Sequence, residues 1–319
     1  MAGDQTQLDR LAERFRLFVA TDCNRYTPLY ARLGSAAAED PELLALLAKA
    51  APGQQRPVLF LAAVHDLVLA EPDAPLARFY PSVTGSAIPD DDPVPELRRF
   101  CADRHDALAD RIANRSTQTN EVNRSVALRA ALGAAVADVP DRPLALLELG
   151  ASAGLNLAFD RYTLSGAFGP EPPLVPLECD QVGTRHAPFD SALPDIMWKA
   201  GLDRHPISVD DPDGIRWLEA CLWPEQLERI ERFRAAVAAA RAADTRPTIV
   251  AGDMVDDLAT AAAGAPPDAH LVVWHSWVLT YLGRALRPAF ADAVGALGAD
   301  SRPVTWLSAE APGVVASLE

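Results

Sequence analysis

The residues best suited to chemistry lie in one stretch, Glu148-x-Gly150-x-Ser152-x-Gly154, with Asn156 shortly after it. An apolar run, Leu144 to Leu147, leads in, and Leu155, Leu157, Ala158 and Phe159 lead out. That order reads as a buried strand, a tight turn and the first turn of a helix, the way a nucleotide crevice opens in α/β folds. Gly150 permits a positive φ and Gly154 allows backbone and ligand to approach closely, since neither carries a Cβ. Ser152 stands where a helix N-cap would serve orphan N–H donors. Dinucleotide loops read G-x-G-x-x-G and set pyrophosphate on the helix N-terminus. Here a carboxylate precedes the first glycine by two residues and would repel pyrophosphate, so the position suits a ligand that carries a cation there. The Lys-Ser/Thr ending of a P-loop is absent.

Further polar residues close other apolar runs. Ile196–Asp203, Pro247–Asp253, Ala269–His275 and Pro303–Glu310 each read as a strand that ends on a polar side chain. Parallel strands joined by right-handed crossovers bring such ends to one edge of a sheet, so Glu148, Asp203, Asp253, His275 and Glu310 are expected there together. An acid ending the second strand is placed to hold ribose hydroxyls. Glu178, nearer the usual spacing of about twenty residues, competes with Asp203, which is preferred because a helical segment follows it. A base for a neutral acceptor would come from His275, Tyr281 or Glu121.

Residues 1–137 read as helical, with Leu8, Leu11, Phe15 and Phe18 at helical spacing and Asp40-Pro41 as a cap and first-turn proline. Val58 to Ala70 is a buried helix, too short to span a bilayer, and its His65 reads as a satisfied core histidine. Residues 71–95 are rich in Pro and Asp and are expected to cross as a loop, with Phe79 and Tyr80 on it. The run 115–124 has a single apolar side chain, Val122, and is either a solvated loop or a lid that hydrogen-bonds a polar ligand through Gln118, Asn120, Glu121 and Arg124. Thr119 or Asn120 is expected to cap the helix that follows. Asp138 to Pro143 is the expected linker to a second domain at 138–319, Leu174 to Glu178 a short strand, and Trp217 to Ala243 a helical connection.

Composition narrows the function. The 319-residue chain carries a formal charge of −15 and no Lys/Arg cluster, which argues against a phosphate-backbone partner and for a small molecule. Cys23, Cys101, Cys179 and Cys221 lack C-x-x-C spacing, so neither zinc nor a disulfide framework is expected, and a reducing cytoplasm is. The N-terminus is polar and reads as no signal peptide.

The 148–154 spacing resembles motif I of class I S-adenosylmethionine (SAM) methyltransferases, with Ser152 replacing the usual middle glycine. Asp253 in Val-Ala-Gly-Asp resembles their third-strand acid, and Val-Val-Trp-His-Ser-Trp-Val-Leu-Thr-Tyr, residues 272–281, resembles their fourth strand and the segment after it. The whole chain resembles an uncharacterised bacterial family, domain of unknown function 2332, through Thr-Gln-Thr-Asn-Glu (117–121), Gly-Ala-Ser-Ala-Gly-Leu-Asn (150–156) and Asp-Pro-Asp with Arg-Trp-Leu (211–218). The resemblance implies a Rossmann-like α/β sheet behind a helical cap. SAM would bind through Glu148, Gly150, Ser152, Gly154, Asn156, Asp203, Asp253 and Ser276, and the 115–124 run would join the site. A non-catalytic sensor of SAM or another adenosine compound is the alternative. A hydrolase on a Rossmann-like scaffold is a second alternative, and Gly150-x-Ser152-x-Gly154 does have the G-x-S-x-G spacing of a nucleophile elbow. The antiparallel hairpin usual after the fifth strand of methyltransferases does not follow in the few residues after Glu310, so either the sequence is truncated there, with the final Leu-Glu as a cloning remnant, or the sheet is short.

Overall fold

A computed structural model describes residues 2–315, apart from 24–25, 119, 138–141, 166, 171–172, 183–186, 190 and 299–301. Thr119, the 138–141 part of the expected linker and the final Leu-Glu therefore lie outside the described residues. Two compact units emerge. The first holds Met1–Thr119 with Asp211–Glu231, and the second holds Asn120–Asp210 with Arg232–Glu319. Composition suggested one cut between 137 and 138. The observed division is discontinuous and leaves 120–137 with the second unit.

In the first unit the helices are α1 (Ala2–Phe18), α2 (Pro28–Ala38), α3 (Pro41–Ala48), α4 (Pro57–Ala70), α5 (Pro81–Thr84), α6 (Val94–Asp103) and α7 (His105–Asn114). Prolines open α2 and α3 at positions where the missing N–H costs nothing, behind the caps Thr27 and Asp40. The Asp40 carboxylate accepts from Glu42 N at 3.0 Å. Helix α4 is buried on almost every side, including His65 and Asp66. Its polar groups are paired, as burial demands. His65 Nε2 lies 2.8 Å from Ser82 Oγ, and Asp66 accepts from Arg111 at 2.6 Å and Arg216 at 3.1 Å. Residues 71–95 are not an open loop: Pro75 and Pro81 start a 3₁₀ turn and α5, and Phe79 and Tyr80 between them are fully buried. α9 (Pro212–Ala220) completes this unit, capped by Asp211, with Trp217 in the helical core. The helical stretch expected from Trp217 to Ala243 is thus two helices, α9 and α10 (Leu227–Arg241). Pro224, between them, cannot donate an i→i−4 bond.

The second unit is α/β. Its strands are β1 (Leu144–Leu149), β2 (Thr163–Leu164), β3 (Pro176–Leu177), β4 (Ile196–Asp203), β5 (Thr248–Ala251), β6 (His270–Ser276) and β7 (Val304–Ala309). Five of them form a parallel sheet in the order β5-β4-β1-β6-β7, while β2 and β3 pair separately. From β1 the chain steps outward through β4 to β5, then returns to the other side of β1 with β6 and β7. Between β1 and β6 the winding reverses, and crevices open at such points beyond the strand C-termini. On one face Ala145, Leu147, Leu149, Leu271 and Val273 pack with Leu258, Ala262, Phe290 and Val294 of α11 (Leu258–Ala262) and α12 (Arg287–Ala296). By strand alternation Leu144, Leu146 and Glu148 point to the opposite face, and Glu148 is tied through Asn156 to Ser125, the first residue of α8 (Ser125–Ala135). Among the described residues no helix is long and apolar enough to cross a membrane.

Candidate functional site

The 150–154 loop is a run of left-handed turns: Gly150 at φ 70°, Ser152 at 52° and Gly154 at 67°. Ser152 is therefore not an N-cap. Gly154 holds the cap position, and the segment that follows, 155–161, is a 3₁₀ helix. A Cβ on Gly150 would lie 2.5 Å from Val278 Cγ2, and one on Gly154 would lie 2.7 Å from Ile249 Cδ1. The space beside Gly154 is thus filled by a side chain of β5. The close approach expected there for a ligand is made by Ile249 instead.

Glu148 is the last polar residue of β1 and is 3 % exposed. Its Oε1 accepts from Asn156 Nδ2 at 3.3 Å, Asn156 Oδ1 accepts from Ser125 Oγ at 3.2 Å, and Glu148 Oε2 has no partner among the described residues. Burial pushes the carboxyl up to about 8, aided by the nearby Asp203 charge and opposed by the Asn156 bond and Arg124. Glu148 stands directly across from Trp274 of β6, whose buried indole Nε1 is also unpartnered. A buried acceptor and a buried donor thus lie side by side at the C-terminal ends of neighbouring strands, each lacking a partner among the described residues, and buried polar groups of that kind call for an explanation.

The polar run reaches this edge in part. Arg124 donates to Ser276 O at 3.2 Å, at the end of β6. Asn120 is 5 % exposed with its Nδ2 unpartnered. Glu121 is tied into local structure, accepting from Asn123 N at 3.1 Å and lying 4.0 Å from Arg232. Gln118 belongs to the first unit, where its backbone meets the Cys221 thiol.

Asp203 ends β4, and Glu178 follows the two-residue β3 outside the main sheet. Asp203 is already at work: Oδ2 accepts from Ser152 N and Oδ1 from His205 N, both at 2.8 Å. It pins the strained middle of the glycine loop to its own strand. Glu178 pairs with Arg232 at 2.9 Å, and its main chain is held in both directions by the Asn123 amide. Asp253, just past β5, accepts from Val255 N at 2.8 Å and from Arg204 Nε at 3.0 Å. Burial works against its charge, yet these bonds hold it below the ordinary carboxylate range.

His275 is wholly buried, and both ring nitrogens are engaged. Trp306 Nε1, which can only donate, points at Nε2 from 2.9 Å, so Nδ1 carries the proton and donates to Glu310 Oε1 at 2.9 Å. No lone pair remains for a substrate proton, which removes His275 from the candidate bases. Glu310 Oε1 also accepts from Val278 N at 2.8 Å and Leu279 N at 3.0 Å. Burial opposes its charge, but the bonds from His275 and these N–H groups outweigh it and keep the carboxyl low. Tyr281, 63 % exposed, lies on the turn these bonds fasten. Trp274, Trp277 and Trp306 were not among the residues expected here. Three tryptophans within or beside strands read simply as core, and nothing in their spacing separates that from a site.

Comparison with known proteins adds one finding. A family model described as "Uncharacterized protein conserved in bacteria (DUF2332)" matches residues 12–318. The chain belongs to this family. Every element of the strand-end site lies within the matched span, so the site is set in the body of the DUF2332 region. No curated protein and no solved structure matches the chain.

Proposed function

We propose that the second unit is a Rossmann-like SAM-binding domain and that the protein is a methyltransferase acting on a small molecule. The observation that carries this is Glu148, a buried carboxyl with one unpartnered oxygen beside a glycine loop, at the point where a parallel sheet reverses its winding. A ligand ammonium there would satisfy Oε2 and supply the countercharge that burial otherwise denies. Asp203 still has lone pairs in reserve, since a carboxylate offers about four sites and two are used, so a ribose diol remains within its capacity. When bound, SAM supplies an electrophilic methyl on a sulfonium. The chain would orient it, with Asn156 and Ser125 setting the Glu148 rotamer and Asp203 fixing the loop, and positioning is the larger part of such a displacement. Of the base candidates Tyr281 is the one on the surface. Glu121 is engaged as a cap.

The test is ligand-induced stabilisation. SAM or S-adenosylhomocysteine should raise the melting temperature, because a ligand that binds only the folded state shifts unfolding. NAD and ATP at equal concentration should not. A second readout is more specific: below about pH 8 the free protein holds a proton on Glu148, and an ammonium beside it should expel that proton. Calorimetry of S-adenosylhomocysteine binding near pH 7 in buffers of different ionisation enthalpy should show proton release that Glu148→Gln abolishes. A shift with NAD and none with either SAM compound would sink the assignment. The sensor reading makes the same binding predictions and parts from this one only when turnover is measured.

A further inference from the structure

Trp277, the residue after β6, has φ 58°. That is left-handed backbone, where a bulky side chain crowds its own carbonyl and glycine or asparagine would rest more easily. Burial does not offset the crowding, because the indole is 48 % exposed. The conformation is imposed by neighbours. Trp277 N donates to Ala309 O at 2.9 Å, and Thr280 Oγ1 donates to Trp277 O at 3.2 Å. The next two N–H groups both enter Glu310 Oε1, which is aimed by His275, which is aimed by Trp306. Arg287 holds the far side of the turn through Leu279 O at 3.1 Å. Val278 is wedged against Gly150, so the corner abuts the glycine loop. Glu310, His275, Trp306 and Arg287 thus hold in place a turn that exposes Trp277, with Tyr281 exposed on the same turn, and strain of the kind seen at Trp277 collects where a side chain is presented to a ligand.

We propose that Trp277 is a stacking platform for a flat aromatic ring of a small molecule bound at the strand-end edge, and that Trp306, His275 and Glu310 are positioning residues that hold it there. An indole face offers a broad π surface and no hydrogen bond, so the group it selects is planar and apolar. Assigning that ring to the methyl acceptor rests on the methyltransferase reading; the platform itself does not.

The experiment uses full-length protein labelled with 5-fluorotryptophan, whose six tryptophans give separable signals, with Trp277→Phe identifying the relevant one. Quinoline is the probe, and decahydroquinoline, a cation of the same skeleton without flat rings, is its control. The Trp277 signal should shift saturably with quinoline and not with the control. Trp277→Ala should weaken quinoline binding about tenfold, typical for loss of one stacked ring. Glu310→Gln should move the Trp277 signal in the free protein and weaken quinoline binding while leaving the melting transition cooperative. Should that variant not fold, Trp306→Phe removes the N–H that aims His275 while keeping an aromatic ring beside Phe290, and should act the same way. Quinoline binding that ignores Trp277, no quinoline binding, or equal or tighter binding of decahydroquinoline would overturn the platform. S-adenosylhomocysteine titrated into the same samples separates the two ideas: nucleoside binding with a Trp277 that stays silent toward quinoline defeats the platform alone, and a quinoline response without nucleoside binding defeats the methyltransferase reading alone.

Discussion

Glu148 sets the expectation for pH at the scale of single residues. Its carboxyl ionises near 4.5 in an unfolded chain and near about 8 when folded. Between those values the folded state holds a proton that the unfolded state has lost, so stability falls as pH rises across the window. Each tenfold in proton affinity is worth roughly 1.4 kcal/mol. Glu148→Gln should therefore flatten the decline of melting temperature from pH 4.5 to 8 and melt above wild type at the alkaline end. Identical slopes would mean that the carboxyl is solvated. A second contrast concerns the two rival acids. Asp203→Asn sets an amide donor against the N–H of Ser152 or His205 and should cost about 1–3 kcal/mol in urea unfolding. Glu178→Gln weakens a pair between the exposed Glu178 and the largely buried Arg232, which keeps its bond to Pro176 O, and should cost about 1 kcal/mol.

At the scale of elements, the glycine loop and β5 are fitted to each other. Ile249 Cδ1 occupies the space that both Gly154 and Gly201 leave open, 2.7 and 2.8 Å from where their Cβ atoms would stand. Gly154→Ala should destabilise by roughly 1–2 kcal/mol from its left-handed backbone alone, with a steric cost added. Ile249→Val removes the offending methyl, so in a double-mutant cycle the pair should be less damaging than the sum of its singles. Strict additivity would show that the loop yields without touching β5. Periodicity exposed each partner as a loop or strand, but not that they meet, because ninety-odd residues lie between them in the chain.

The whole molecule is two units, and the first is not one continuous stretch. Residues 211–231 supply its core with Trp217, supply Asp66 with Arg216, give His65 the carbonyl of Ala220 at 3.1 Å, and carry Glu225, which accepts from Leu29 N at 2.7 Å and Thr27 Oγ1 at 2.6 Å. A fragment of residues 1–119 would keep Asp66 buried while losing one of its two arginines, and breaking a buried pair typically costs about 3–5 kcal/mol. That fragment should bind a hydrophobic dye and unfold without a sharp transition, and addition of a 211–231 peptide should restore helicity and cooperativity. A sharply melting fragment that ignores the peptide would show the insertion to be an ornament.

What the sequence determined by itself is what depends on near neighbours. The apolar run ending in His275 marked a strand because a strand buried on both faces needs an unbroken apolar stretch, and the shorter runs ending in Asp203 and Asp253 marked strands that the fold leaves partly exposed toward one side of the sheet. Asp40-Pro41 marked a helix start, because a cap acts within three residues. The Glu148-to-Gly154 spacing marked the loop at the edge of the sheet, since φ > 0 is a property of one residue at a time. Only the tertiary structure decided which polar atoms were left over. His275 lost its place among the bases to Trp306 and Glu310, each more than thirty residues away, and Glu148 kept an unpartnered oxygen because Asn156 reaches only the other one. Hydrogen-bond partners and steric fits are set by which distant segments the fold brings together, and local pattern carries no record of that.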